Sequence, residues 1–202
     1  MPTQILEWLA LMATCLVDCS AVAVQAQSVT AAYGGSPASL SFAIPITASV
    51  TSRCGFAAAP SGTFNAGAID RASWSNDFAF TLDCNGPSRI AIVSSNAGLK
   101  ADLPQPVPGF ANLAPYSVAV SIARNGGTTI ASCAAAQLAA DAGSACPLAG
   151  TASATQGLLI PAGSSGLPGS FMRVSAPAYA GSNVLVSGSY TDTLTVTIAP
   201  AS

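Results

Sequence analysis

The stretch GSYTDTLTVTIAPAS, residues 188–202, sets the reading of the whole chain. From Tyr190 onward it alternates: Leu194, Val196 and Ile198 fall on one face, and Thr191, Thr193, Thr195 and Thr197 on the other. Alternation in a run rich in β-branched residues predicts a half-buried strand over 190–198. Only Ala199, Pro200, Ala201 and Ser202 follow it. A strand leaves unpaired backbone groups on any edge without a neighbour, so the stretch raises the question of which chain pairs with it.

Composition points the same way. Of 202 residues, 50% are hydrophobic and only 7% are charged, with 18 Gly and 14 Pro. That balance suits strands and turns better than long solvated helices or disorder, and the length suits one domain. The chain contains no histidine, the commonest general base and metal ligand. Neither a cofactor nor a metal site is expected, since there is also no CxxC pair of the kind that holds zinc. Beyond residue 26, the acids Asp70, Asp77, Asp83, Asp102, Asp141 and Asp192 balance Lys100 and five scattered arginines. Such a neutral surface gives no footprint for nucleic acid or anionic lipid.

The amino terminus reads as an export signal over 1–26. An apolar run from Trp8 to Val17 precedes Val24-Gln25-Ala26, which supplies small residues at −3 and −1 of a cleavage site after Ala26. The segment before the run lacks Lys and Arg, and Glu7 and Asp18 flank it. Asp18 also cuts the run short of the roughly 20 apolar residues of a membrane span, so no stable membrane anchor is expected. Cys15 and Cys19 belong to this leader. Cys54, Cys84, Cys133 and Cys146 remain, and an even number in an exported chain favours disulfides. Three pairings are possible; the two sequential ones, Cys54 with Cys84 and Cys133 with Cys146, close modest loops. The first bridge would contribute about 3 kcal/mol on chain-entropy grounds.

Residues 27–37 read as a flexible lead-in. Over 38–50, Leu40, Phe42, Ile44, Ile46, Ala48 and Val50 then occupy every second position, which is a second clean strand signal. Pro45 lies on the opposite face and cannot donate to a ladder. Further strands are expected at 63–69, 78–84, 89–94, 116–123, 128–132, 171–175 and 183–187, separated by Asn/Gly/Pro/Ser turns. Phe78, Phe80, Leu82, Tyr116, Val118, Val120 and Ile122 are expected to point inward, and Asn125-Gly126 reads as a two-residue hairpin loop. The alanine-rich segment bounded by Cys133 and Cys146 is expected to be a surface insertion. The whole reads as one all-β antiparallel sandwich over 51–202.

Four segments carry a resemblance: RCGF at 53–56, FTLDCNGPSRIAIVSSNAGL at 80–99, APYSVAVSI at 114–122, and GSYTDTLTVTI at 188–198. They resemble the spore coat protein U domain, which is shared with subunits of archaic chaperone/usher pili. The ending and the placement of Cys54 and of Cys84 before Asn85-Gly86 are its most specific elements; the 133–146 segment departs from the pattern. The resemblance implies an incomplete immunoglobulin-like sandwich, completed first by a periplasmic pilus chaperone and then, at an outer-membrane usher, by a donor strand from a neighbouring pilin subunit. It makes Leu40, Phe42, Ile44 and Ile46 the donor-strand plugs. It makes Tyr190, Leu194, Val196 and Ile198 the acceptor and chaperone-binding strand.

Other functions find less in the residues. Aspartates beside Asn, Gly and Thr at strand ends are turn and edge residues, and the many serines have no histidine to activate them, so no enzyme is expected. Trp74, Tyr116 and Tyr179 could face a sugar or a surface in a tip adhesin. Residues 40–50 could instead pair with Ile198 inside one molecule, giving a self-complemented coat or matrix protein.

Overall fold

In a computed structural model of the chain, residues 45–103 and 108–201 are described. The plugs Leu40, Phe42 and Ile44, the leader and the lead-in lie outside the described residues. All assigned elements fall within Ala48–Ser202. They are β1 (Phe56–Ala58), β2 (Trp74–Leu82), β3 (Ser88–Ser94), β4 (Leu99–Ala101), β5 (Phe110–Ala111), β6 (Leu113–Ala114), β7 (Ser117–Arg124), β8 (Gly127–Ala134), a 3-10 turn (Ala135–Leu138), β9 (Leu158–Ile160), β10 (Ser170–Ala176), β11 (Val184–Leu185), β12 (Tyr190–Thr191) and β13 (Leu194–Pro200).

The fold is all-β. A five-stranded sheet runs β1-β2-β10-β7-β8, and a three-stranded sheet runs β13-β3-β9; every pair within these two is antiparallel. Two small sheets, β12-β4-β6 and the parallel pair β11-β5, complete the set. Phe80, Leu82, Val118 and Ile122 from the first large sheet share one core with Ile90, Ile92 and Ile160 from the second. That is the arrangement of a β-sandwich. The inward residues follow the expected period of two: Val118, Val120 and Ile122 are buried, as are Phe80 and Leu82, while Phe78 is half-buried. Asn125 and Gly126 form the two-residue loop between β7 and β8, with Gly126 at φ +81°, a conformation glycine adopts without steric cost.

The cysteines pair sequentially, Cys54 with Cys84 and Cys133 with Cys146. Around the first bridge, Gly55 and Asp83 exchange backbone hydrogen bonds, and Asn85 binds the Arg53 amide and the Thr51 carbonyl. These contacts strap residues 51–55 to the end of β2. Two disulfides fit an oxidising compartment, and among the described residues no helix is long and apolar enough to cross a membrane.

Three expectations need correction. Residues 63–69 form no strand: the Asn65 side chain accepts from the Gly67 amide at 2.9 Å, Gly67 sits at φ +68°, and local backbone bonds turn the chain at Ile69 and Arg71. Local side-chain bonding of this kind competes with a ladder. The segment after Cys133 is no surface insertion, because Ala135, Leu138 and Leu148 are buried in the core. Parallel bridges from Ala139 to Ser94 and from Ala149 to Ile92 lay it along the edge of β3 that β9 leaves uncovered. Its alanines fit because small side chains let the backbone come close to that edge. At 45–50 no ladder partner is assigned, and Ile46 and Val50 are exposed. The last strand is also not continuous over 190–198, for a reason that lies in the site itself.

Candidate functional site: a groove beside the last strand

β13 pairs with β3 from Leu194 opposite Ser94 to Pro200 opposite Ser88. Its other edge carries no strand among the described residues. Leu194, Val196 and Ile198 face the core, yet each is only partly buried, whereas their neighbours Ile90 and Ile92 on β3 are fully buried. The exposed portion opens into a groove of about 1140 Å³. It is lined by Leu194 and Val196 of β13, by residues 59–70 and 184–193, and by Trp74, Phe78, Leu99 and Met172 among others.

The backbone polarity of the free edge follows from the hydrogen bonds at its two ends. Ser95 N–H donates to the Thr193 carbonyl at 3.0 Å, and Ala201 N–H donates to the Pro87 carbonyl at 3.0 Å. Successive residues of a strand turn their amide groups to opposite sides, so the odd-numbered residues of β13 bond to β3. The Ile92 amide bonds away from β13, to the Leu148 carbonyl at 2.7 Å, in keeping with that phase. Leu194, Val196 and Ile198 therefore turn their N–H and C=O groups to the free edge, and Leu194 and Val196 also present their apolar side chains to the groove. Pro200 ends the series, having no N–H to offer.

At one end the groove is aromatic. Trp74 opens β2 and packs against both Phe64 and Tyr116, each ring centroid 5.8 Å away, with the rings tilted by 41° and 47°. Tyr116 points inward as expected, 6% exposed, and ties down the break in the last strand. Its hydroxyl donates to Asp192 Oδ2 at 2.7 Å. The same carboxylate accepts from Ser94 Oγ at 2.6 Å, Ser95 Oγ at 2.8 Å, the Asn96 amide at 3.0 Å and the Thr193 amide at 2.7 Å. These bonds pull the chain out of strand geometry at Asp192, while the facing strand breaks in step over 95–98, with Ala97 at φ +63°. Gly98 is required there, since a Cβ would meet the Ala114 carbonyl oxygen at 2.9 Å. Burial, and then the Asp192 carboxylate, pushes the Tyr116 phenol well above its ordinary pKa.

Tyr190 thus lies not on β13 but on β12, opposite Ala101. Its hydroxyl donates to the Val186 carbonyl at 2.8 Å, and burial raises its pKa. The other carboxylates are held structurally. Asp77 makes a two-pronged pair with Arg173 at 2.6 Å on the outer face of the five-stranded sheet, which holds its pKa below the usual carboxylate value. Asp83 accepts from Ser165 and pairs with Arg53, with the same direction of shift. Among the described residues no three His, Cys, Asp or Glu side chains gather as a metal site would require. Sequence reasoning placed Leu194, Val196 and Ile198 at the site and missed Asp192, although a lone charge inside an alternating strand is a visible signal. It also missed Phe64, whose place depends on the loop at Asn65.

No protein-family model matches the chain, and comparison with curated proteins and with solved structures finds no match.

Proposed function

We propose that this chain is a structural subunit of a surface fibre, an archaic chaperone/usher pilin of minor, adaptor or shaft type that supports adhesion or biofilm formation. Its immunoglobulin-like sandwich is completed by donor-strand complementation. The observation that carries the reading is the free edge of β13. Among the described residues no strand pairs with that edge, and its Leu194 and Val196 side chains line one open groove; an extended segment of another chain satisfies both at once. Residues 38–50 of a second copy supply such a segment, with Leu40, Phe42, Ile44 and Ile46 as plugs. Burying side chains of that size contributes about 1.5–3 kcal/mol each. A head-to-tail contact that does not close propagates as a filament.

In this reading the protein passes through the periplasm with a chaperone on the groove, is handed over at the usher, and resides at the cell surface. It performs no catalysis and takes no cofactor. The tip-adhesin reading gains little support from its aromatic residues, because Trp74 and Tyr116 are packed against one another and the groove. The test is assembly of the mature chain. Phe42→Asp or Ile44→Asp should block polymerisation and leave chaperone binding intact. A mature wild-type chain that stays monomeric and stable without a chaperone would be a self-complemented coat or matrix protein instead.

A further inference from the structure

Resting on the donor-strand reading, the structure assigns a role to Pro45 that the plugs do not have: we infer that it fixes the direction in which the segment enters the groove. The argument is one of parity. Leu194, Val196 and Ile198 turn their amide groups to the free edge and their side chains inward. In an antiparallel pair, residues that face each other have side chains on the same side of the sheet, and where one turns its amide toward the other strand both do, exchanging two hydrogen bonds. A strand entering antiparallel to β13 with Phe42, Ile44 and Ile46 inward therefore bonds to β13 through those residues. Pro45, one position out of phase, turns away from β13. Of the groove's other lining residues, 59–70 belong to the stretch between β1 and Trp74, which holds no strand. The missing N–H has no ladder to interrupt there.

Parallel entry reverses the phase. With the same side chains inward, the inward residues turn their amides away from β13, and Ala43, Pro45 and Thr47 must bond to it. Pro45 then leaves a β13 carbonyl without a donor at the middle of the plug series. An unsatisfied group at a closed interface shifts the equilibrium roughly tenfold or more. One residue, exposed before assembly, thus keeps the antiparallel ladder whole and breaks the parallel one. Its replacement by alanine restores the donor in both directions and removes the discrimination.

The test uses assembled mature chain carrying a benzophenone amino acid in place of Ser49 or of Ser39, with crosslinks mapped by mass spectrometry. With Phe42, Ile44 and Ile46 opposite Ile198, Val196 and Leu194, antiparallel entry places position 49 beside Thr191 of the neighbouring copy and position 39 beside Ala201. In wild-type protein that single map is expected. With Pro45→Ala in the same background, the reversed map should rise at least fivefold. A reversed wild-type map, or an unchanged map in Pro45→Ala, overturns the role of Pro45 while leaving strand donation standing. Crosslinks that never reach β13, or crosslinks confined within one chain, overturn strand donation itself and the role of Pro45 with it.

Discussion

Replacing Asp192 with alanine removes the acceptor at which five donors converge: the hydroxyls of Ser94, Ser95 and Tyr116 and the amides of Asn96 and Thr193. Tyr116 is 6% exposed and Ser94 3% exposed, so neither hydroxyl has ready access to water. A buried donor left without a partner costs about 1–3 kcal/mol. The amides and Ser95 lie nearer the surface, and water replaces much of what they lose. The expected destabilisation is about 2–4 kcal/mol, measured as a fall in the urea midpoint of the oxidised mature chain at unchanged m-value. Tyr116→Phe keeps the ring packed on Trp74 and removes one donor while Asp192 keeps its other four, which costs about 1 kcal/mol. In the double variant the losses should fall short of additive by about 0.5–2 kcal/mol, because Asp192→Ala no longer strands the Tyr116 hydroxyl. A loss below about 0.5 kcal/mol in Asp192→Ala, or strict additivity with Tyr116→Phe, would refute the assignment of Asp192 as the pin that divides β12 from β13.

Two further outcomes follow from the core and the surface. Leu138→Ala should destabilise the chain by about 2–5 kcal/mol, as for a fully buried leucine; a surface insertion would lose under about 0.5 kcal/mol, and urea unfolding separates the two. The Asp77 to Arg173 pair should make a small, salt-sensitive contribution, since both side chains are nearly half-exposed. Its folded pKa lies below the unfolded value of 3.8, so its contribution is full above that value and is lost as pH falls through the folded pKa. Unfolding curves of wild type and Asp77→Asn should therefore differ at pH 6 and converge near pH 2.

The strands that were legible in the sequence are those whose alternation meets a single buried face: β2, β3, β7, β8, β10 and the β13 half of the ending. What escaped depends on partners far away in sequence. Residues 63–69 alternate as well as any strand, but the Asn65 side chain captures the Gly67 amide and turns the chain. The alanines after Cys133 carry no period that reveals burial, and only their proximity to β3 makes Leu138 a core residue. β1, β4, β5, β6 and β9 have at most three residues each, too short for a period to show. The free edge of β13 was raised as a question by the sequence, and its width and polarity came from packing. The break at Asp192 moved Tyr190 onto β12, where it still lines the same groove.

The most direct test of the missing-strand account is residue-resolved amide hydrogen exchange along β13 before and after assembly. In the unassembled mature chain, Thr195, Thr197 and Ala199 should be protected by β3, while Leu194, Val196 and Ile198 exchange quickly; assembly should slow those three by at least tenfold. Protection of all six in the unassembled chain, with no change on assembly, would mean that the edge is already paired and would contradict the account.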